Sequence, residues 1–124
     1  MSFVYKICSK NEWNKAIIEK IYTGSEVDNR DGFIHLSTKK QLKETVAKHF
    51  KGQENLLIIC FRVIKIKDKL KWEISRNEEL FPHYYGNLET NKAEEIYNLN
   101  LNANSVHQFP ENFFSWKIMH KLFF

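Results

Sequence analysis

The sequence has few of the residues from which phosphate loops, metal sites and disulfide frameworks are built. Its 124 residues include 4 glycines, 2 prolines and 2 cysteines. The glycines are isolated, which excludes a glycine-rich phosphate loop, and no G-x-S-x-G nucleophile elbow occurs. The 5 histidines and the cysteines lack the H-x₃-H or C-x₂-C spacing of metal sites. No metal and no bound cofactor are therefore predicted.

The two cysteines, Cys8 and Cys60, lie within apolar, strand-like segments. Buried free thiols in a reducing compartment are the expected state, and nothing in the sequence requires a disulfide between them. Neither cysteine has a basic motif nearby that would lower its pKa, so a catalytic thiol is not expected.

Long hydrophobic runs are also missing, since none approaches the roughly 18 residues that cross a bilayer. The first residues lack a basic region followed by an apolar one, so no signal peptide and no membrane contact are predicted. We expect a cytoplasmic protein with a single domain over residues 1–124. The composition, 43% hydrophobic and 15% aromatic, is sufficient for a core of large rings.

Charge is distributed unevenly along the chain, although the net charge is only +4. Residues 39–71 are rich in lysine, and residues 72–95 carry an excess of glutamate. A basic segment can attract RNA or a phosphate-bearing ligand. The alternative is an ordinary solvated lysine surface, which the lack of interleaved aromatic residues favours.

Two capping boxes predict helices near the N-terminus, because each places a Glu or Gln three residues after a serine or threonine. They begin at Ser9 and Thr38. The first helix is expected to run to about Tyr22, and the second to end at Gly52. The polar residues 25–32 between them are expected to form a turn.

Alternation of polar and apolar residues predicts strands, and one near-continuous apolar run predicts a central strand buried on both faces. The alternating strands are 3–8, 33–37 and 70–75, and the apolar one is 56–61. Residues 76–88, which include Pro82, are predicted to form an ordered loop. Residues 93–101 fit a short helix or a strand, and the segment beyond Pro110 is unassigned. The predicted fold class is α+β.

His35 is the first candidate for a functional side chain. On a regular strand it shares one face with Phe33 and Ser37, while Ile34 and Leu36 face the core. A rigid strand is a good platform for a positioned imidazole. A histidine held by a hydrogen bond at a strand end is the structural alternative.

The segment Phe81–Gly86 and the pair Trp72-Glu73 are the other candidates. Between Pro82 and Gly86 lie one histidine and two tyrosines, which offer hydrogen bonds and stacking faces to a planar or hydroxylated ligand; they are His83, Tyr84 and Tyr85. Strand alternation sends Trp72 and Glu73 to opposite faces, so we expect Trp72 in the core and Glu73 as a ligand-orienting or surface carboxylate. A loop anchored to the core by its aromatic rings is the alternative for the first segment.

Three motifs in order resemble the domain-of-unknown-function family 952. They are Asp31-Gly32-Phe33-Ile34-His35-Leu36-Ser37-Thr38, Leu70-Lys71-Trp72-Glu73 and Phe81-Pro82-His83-Tyr84-Tyr85-Gly86. The resemblance extends over about residues 5–101. That family looks like a compact member of the ADP-ribosyltransferase-like fold, which implies a split, mostly antiparallel sheet.

The resemblance also implies roles for site residues. His35 would contact the ribose of NAD, the candidate substrate, with Ser37 beside it. Tyr84 or Tyr85 would stack on nicotinamide, and Glu73 would stabilise the transition state as nicotinamide leaves. Three hypotheses follow: an enzyme acting on NAD or on a nucleotide or RNA phosphate, a non-catalytic module for a small nucleotide-like ligand, and an RNA-interaction domain using the basic 39–71 surface.

Overall fold

The computed structural model describes residues 2–114. Its strands, in chain order, are β1 (Phe3–Ser9), β2 (Ile21–Tyr22), β3 (Ile34–His35), β4 (Leu56–Arg62), β5 (Leu70–Ile74), β6 (Leu80–Tyr84), β7 (Leu88–Glu89), β8 (Ala93–Leu101) and β9 (His107–Gln108). Its α-helices are α1 (Lys10–Glu19), α2 (Glu26–Asp31), α3 (Leu42–His49) and α4 (Val63–Ile66). None of these helices is long and apolar enough to span a bilayer.

The fold is α+β, and every strand pair within residues 2–114 is antiparallel. One sheet has the strand order β1-β4-β8-β9, a second has β3-β6-β5, and β2 pairs with β7. A single bridge between Tyr5 and Ser37 connects β1 to the chain just after β3. Their backbone groups exchange hydrogen bonds of 2.8 and 2.9 Å. This bridge positions the small sheet, which carries His35, against the large one.

The core lies on both faces of the β1-β4 pair. One face of β4 packs with α1 and the small sheet through Leu57, Ile59 and Phe61. The other face packs with α3 through Leu56, Ile58 and Cys60. Because side chains alternate along a strand, burial on both faces requires a continuous apolar run, which confirms the prediction for residues 56–61.

The helices differ from the predictions in three places, one of which is the end of α3, at His49 and not at Gly52. The α1 helix ends at Glu19, not at Tyr22, because Lys20 adopts a left-handed conformation with φ 67° and its N–H caps the Ile17 carbonyl. The polar segment 25–32 is not a turn but contains α2, which begins with the capping box of Ser25 and Asp28. The capping box at Thr38 is confirmed; it opens a 3₁₀ turn that leads into α3.

The loop predicted for residues 76–88 is wrong, because β6 runs through the middle of it as the central strand of the small sheet. A residue's N–H and C=O point to the same neighbouring strand. Pro82 C=O accepts from Leu36 N–H at 3.0 Å, so its missing N–H also faces β3 and costs nothing on the β5 side.

Three other predictions are resolved by the structure. Residues 93–101 form β8. Trp72 is not a core residue, since 43% of it is exposed. Beyond Pro110, Phe113 is buried against α3 and β8, and residues 115–124 lie outside the described part of the chain.

Candidate functional site

The small sheet brings basic side chains from three strands into one row. Its register pairs His35 of β3 with His83 of β6, and His83 with Lys71 of β5. Directly paired residues of antiparallel strands point to the same face, with Cβ atoms about 4.5–5.5 Å apart. Glu73, two residues beyond Lys71 on β5, lies on that face as well. We call this group, with Phe33 and Tyr85, the sheet-face cluster.

His35 lies between two aspartates of α2. Its Nδ1 is 2.6 Å from Asp28 Oδ1, and its Nε2 is 3.0 Å from Asp31 Oδ2. Its backbone N–H also donates to Asp28 Oδ1, at 3.0 Å. An ionised carboxylate only accepts hydrogen bonds, so Asp28 orients the ring with a proton on Nδ1. The side chain remains 35% exposed, and Nε2 is the nitrogen on the Asp31 side.

Asp28 is the buried centre of this arrangement, with a side chain only 2% exposed. Its Oδ2 accepts from Lys6 Nζ at 2.7 Å and from the Ser25 backbone N–H at 2.9 Å. Burial by itself raises the pKa of Asp28, but the His35 hydrogen bond and the Lys6 ammonium outweigh it and hold that pKa well below its usual range. Lys6 Nζ donates to the His35 carbonyl too, at 3.1 Å. Asp28 and Lys6 together therefore hold the backbone of β3 at His35.

Asp28 and Lys6 were missed by the sequence analysis. The available signal was the pair Ser25 and Asp28, which is a capping box with aspartate in the position that glutamate or glutamine usually holds. The alternation of β1 gave the opposite indication for Lys6, because a lysine inside a strand normally faces solvent, and here it is 5% exposed.

Glu73 is held by two neighbours through one oxygen. Its Oε1 is 2.9 Å from His83 Nδ1 and accepts from the Tyr85 hydroxyl at 2.7 Å. The Tyr85 and His83 hydrogen bonds lower the pKa of Glu73, with a smaller contribution from the charge of Lys71. The hydrogen bond with Glu73 in turn raises the pKa of the Tyr85 hydroxyl. The result is an ionised, accessible and oriented carboxylate.

Phe33 joins the two halves of the cluster and was not among the predicted site residues. Its ring stacks on His83 with centroids 4.0 Å apart and contacts His35 at 4.6 Å and Tyr85 at 5.4 Å. His83 is almost fully buried beneath it, so its imidazole positions Glu73 and does not itself face the solvent. Strand alternation did place Phe33 beside His35, but its apolar character gave no sign of a site role.

Of the predicted site residues, His35, Glu73, His83 and Tyr85 lie together, whereas Ser37 and Tyr84 do not. Ser37 is buried, and its Oγ lies 3.2 Å from Thr45 Oγ1 of α3. Tyr84 is buried in the core shared with β4, because it follows His83 and points to the opposite face of β6. The geometry therefore places Tyr85, and not Tyr84, at the candidate site.

Three cations of the basic segment 39–71 make contacts within the protein. Lys39 Nζ donates to the Phe113 carbonyl at 2.8 Å and lies over the Phe113 ring. Arg62 Nε and Lys65 Nζ lie 3.2 and 2.6 Å from Glu94 Oε1. These three cations are engaged within the protein, and interaction with RNA stays a prediction.

Two open cavities lie away from the sheet-face cluster. An open cavity of about 480 Å³ lies between α3 and β9, and another of about 420 Å³ lies beside β8; neither is lined by a residue of the sheet-face cluster. Within residues 2–114, no group of three or more His, Cys, Asp or Glu side chains is arranged to hold a metal ion.

Comparisons with known proteins identify relatives but no activity. The chain is similar over its full length to the crystal structure of protein CC0527 from Caulobacter crescentus, with 36% identity, a TM-score of 0.83, and 99% and 100% of the two chains covered. A solution NMR structure of CC0527 is 42% identical with a TM-score of 0.77, covering 87% and 93%. No curated protein matches the chain. Residues 7–96 match the model of the family described as a protein of unknown function, DUF952. The chain therefore belongs to the DUF952 family.

Proposed function

We propose that this protein is an ADP-ribosyltransferase-like enzyme that acts on NAD or a related ribosyl nucleotide at the sheet-face cluster. The observation that carries the proposal is the geometry of Glu73. Its ionised carboxylate is fixed by His83 and Tyr85 on the sheet face that also carries His35.

A fixed carboxylate supports the chemistry of ribosyl transfer. As the bond between C1′ and the nicotinamide nitrogen breaks, nicotinamide leaves with the electron pair and positive charge develops on the ribose ring. The acceptor oxygen then bonds to C1′ and loses its proton. A preorganised anion stabilises that charge where it develops. Within residues 2–114, both hydrogen bonds of Glu73 use Oε1, so we assign Oε2 to the ribose hydroxyl.

The neighbouring side chains supply binding. His35, oriented by Asp28, would contact the ribose through Nε2 once Asp31 is displaced. The aromatic rings of Phe33 and Tyr85 would stack on the planar base. Support for these roles comes from the contacts within the cluster and from the family motifs that contain all of these residues except Asp28.

The decisive experiment separates binding from turnover. Wild type, Glu73→Gln and the control Glu54→Gln are compared for NAD affinity by calorimetry and for nicotinamide release by chromatography. We expect Glu73→Gln to keep its affinity within a few-fold and to lose roughly 10²–10³-fold in turnover, the usual effect of removing one electrostatic stabiliser. Glu54 is an exposed loop residue outside the cluster, and its variant should match wild type.

A non-catalytic nucleotide-binding module is the second candidate function. It is favoured by the position of Phe33, whose ring occupies the middle of the cluster between His35 and Tyr85. NAD binding by wild type without nicotinamide release would select this candidate. No binding of NAD or ADP-ribose by wild type would refute both candidates.

A further inference from the structure

The outer strand of the small sheet, β5, has a free edge. In the strand order β3-β6-β5, it pairs only with β6 in the part of the chain that the structure describes. Pro82 lies opposite Trp72, and the Pro82 C=O points away from β5, to β3. The two residues are therefore a non-hydrogen-bonded pair, and the N–H and C=O of Trp72 point to the free edge. By alternation, so do those of Ile74. A row of unpaired groups of this kind can pair with another strand.

The two faces of β5 differ in character. Lys71 and Glu73 lie on the face of the sheet-face cluster, because Lys71 pairs with His83. Trp72 and Ile74 lie on the opposite face together with Leu80 of β6, which pairs with Ile74. These three apolar side chains are exposed, although the same face packs on the core farther along the strands. An exposed apolar patch beside an unpaired strand edge is typical of an interaction surface.

The sequence of β5, Leu70-Lys71-Trp72-Glu73-Ile74, complements itself when two copies run in opposite directions. With Trp72 opposite Trp72, each Lys71 lies opposite the partner's Glu73, and each Leu70 opposite the partner's Ile74. Directly opposite residues share a face, so the charges meet on one face and the apolar side chains on the other.

Only this register avoids like charges. Sliding one strand by two residues is the smallest shift that still lets the outward backbone groups meet. It would set Lys71 opposite Lys71 in one direction, or Glu73 opposite Glu73 in the other. Like charges directly opposite each other destabilise a strand pair. The charge pattern therefore selects both the partner strand and its register.

We propose that β5 pairs antiparallel with β5 of a second copy of this chain, about a two-fold axis at Trp72, and joins the two small sheets into one. A two-fold dimer is the commonest symmetric assembly. The two Trp72 residues exchange hydrogen bonds, and Ile74 N–H donates to the C=O of the partner's Leu70. The Leu70 N–H is not required, since it already donates to the Lys67 carbonyl. This inference does not depend on the proposed function.

The pairing brings a cation from each copy to the candidate site of the other. Lys71 forms no ion pair within residues 2–114, and its Nζ lies 4.8 Å from the centre of the Tyr85 ring. In the dimer, the partner's Lys71 lies opposite Glu73. A carboxylate can accept about four hydrogen bonds, so this ammonium and a ligand hydroxyl can both join the two groups that Oε1 already holds.

The test measures self-association by sedimentation velocity over about a hundredfold range of protein concentration. It compares wild type, Lys71→Glu, Glu73→Lys and the control Lys15→Glu, which changes an exposed lysine of α1 outside the small sheet. Thermal melting verifies that each variant is folded. Hydrogen exchange of the Trp72 amide, followed by NMR at low and high concentration, locates the interface.

We expect wild type and Lys15→Glu to dimerise as the concentration rises, with increasing protection of the Trp72 amide. Each variant at position 71 or 73 should associate about tenfold more weakly or less, because it sets like charges opposite each other twice. An equimolar mixture of Lys71→Glu and Glu73→Lys should associate again, because every charge then faces its opposite.

A wild type that stays monomeric would overturn this inference and leave the free edge to an unlike partner. A dimer that Lys71→Glu does not weaken, or in which the Trp72 amide gains no protection, would also overturn it, because another surface would then hold the two copies. These two measurements decide the question even if Glu73→Lys fails to fold. If both charge variants are folded, a mixture that remains monomeric would equally refute the pairing.

Discussion

Asp28 links the folding of α2 to the position of His35 through a single buried carboxylate. It completes the capping box of α2, neutralises the buried ammonium of Lys6, and orients His35. These contacts use both carboxylate oxygens. Because a charge out of water is tolerated only when it is paired and hydrogen-bonded, each partner depends on the others. The imidazole of His35, although partly exposed, is consequently hydrogen-bonded to the buried Asp28.

We predict that Asp28→Asn destabilises the protein by about 3–5 kcal/mol near neutral pH, because it leaves the Lys6 charge buried without its partner. The pKa of Asp28 is depressed in the folded state, so its stabilisation is fully present above the unfolded pKa of about 3.9 and is lost as pH falls toward the folded pKa. The difference between wild type and variant should therefore shrink below about pH 4. Urea denaturation at several pH values measures it.

A difference that stays constant down to pH 3 would contradict the assignment of a depressed pKa to Asp28. The control is the pair of substitutions Lys6→Met and Asp28→Leu made together. It removes both charges, and it should recover part of the stability lost in the single variant.

At the scale of elements, β6 and α2 both carry residues of the candidate site, but the sequence analysis predicted a loop and a turn in their places. Pro82 suggested a loop, because proline is rare in central strands. The structure accommodates it opposite Leu36, just beyond the short strand β3, so the missing N–H removes a hydrogen bond only at the end of that ladder. The α2 helix has only six residues, too few for hydrophobic periodicity to show.

Two equivalent caps allow the role of α2 to be tested. Ser9 and Ser25 each form a capping box, at α1 and α2 respectively. We predict that Ser9→Ala and Ser25→Ala each cost about 1 kcal/mol of unfolding free energy, measured by urea denaturation. Only Ser25→Ala should change the NMR signals of the His35 ring, because only α2 carries Asp28.

Equal changes in the His35 signals of both variants would mean that a general loss of stability, and not the cap of α2, alters the position of His35. The assignment of α2 as the element that positions His35 would then be wrong. Unchanged signals in both would show that the Lys6 contact holds Asp28 without the helix cap.

At the scale of the whole molecule, the two cores on either face of the β1-β4 pair each contain one cysteine. Cys8 packs with α1 and the small sheet, and Cys60 packs with α3. Both are free thiols, as the sequence predicted, and burial raises the pKa of each to about 12. Their accessibility to a thiol reagent therefore reports the opening of each core separately.

If residues 1–124 unfold as a single domain, both thiols should react with a maleimide at one common rate, set by global unfolding. Pulsed labelling followed by mass spectrometry of peptides measures the two rates, and mild urea should accelerate them equally. Reaction of Cys60 well before Cys8 would instead show that the α3 side opens independently.

Several features of this protein were determined by the sequence alone, because they depend on local patterns. The apolar run of β4, the alternation of β5 and the caps at Ser9 and Thr38 each define an element through its own residues. The family motifs also marked His35, Glu73, His83 and Tyr85. Only the tertiary structure decided the rest, because strand register and helix packing join residues far apart in the chain. It aligned Lys71 with His83 and His35, buried Lys6 against Asp28, and turned Tyr84 into the core while Tyr85 reached Glu73.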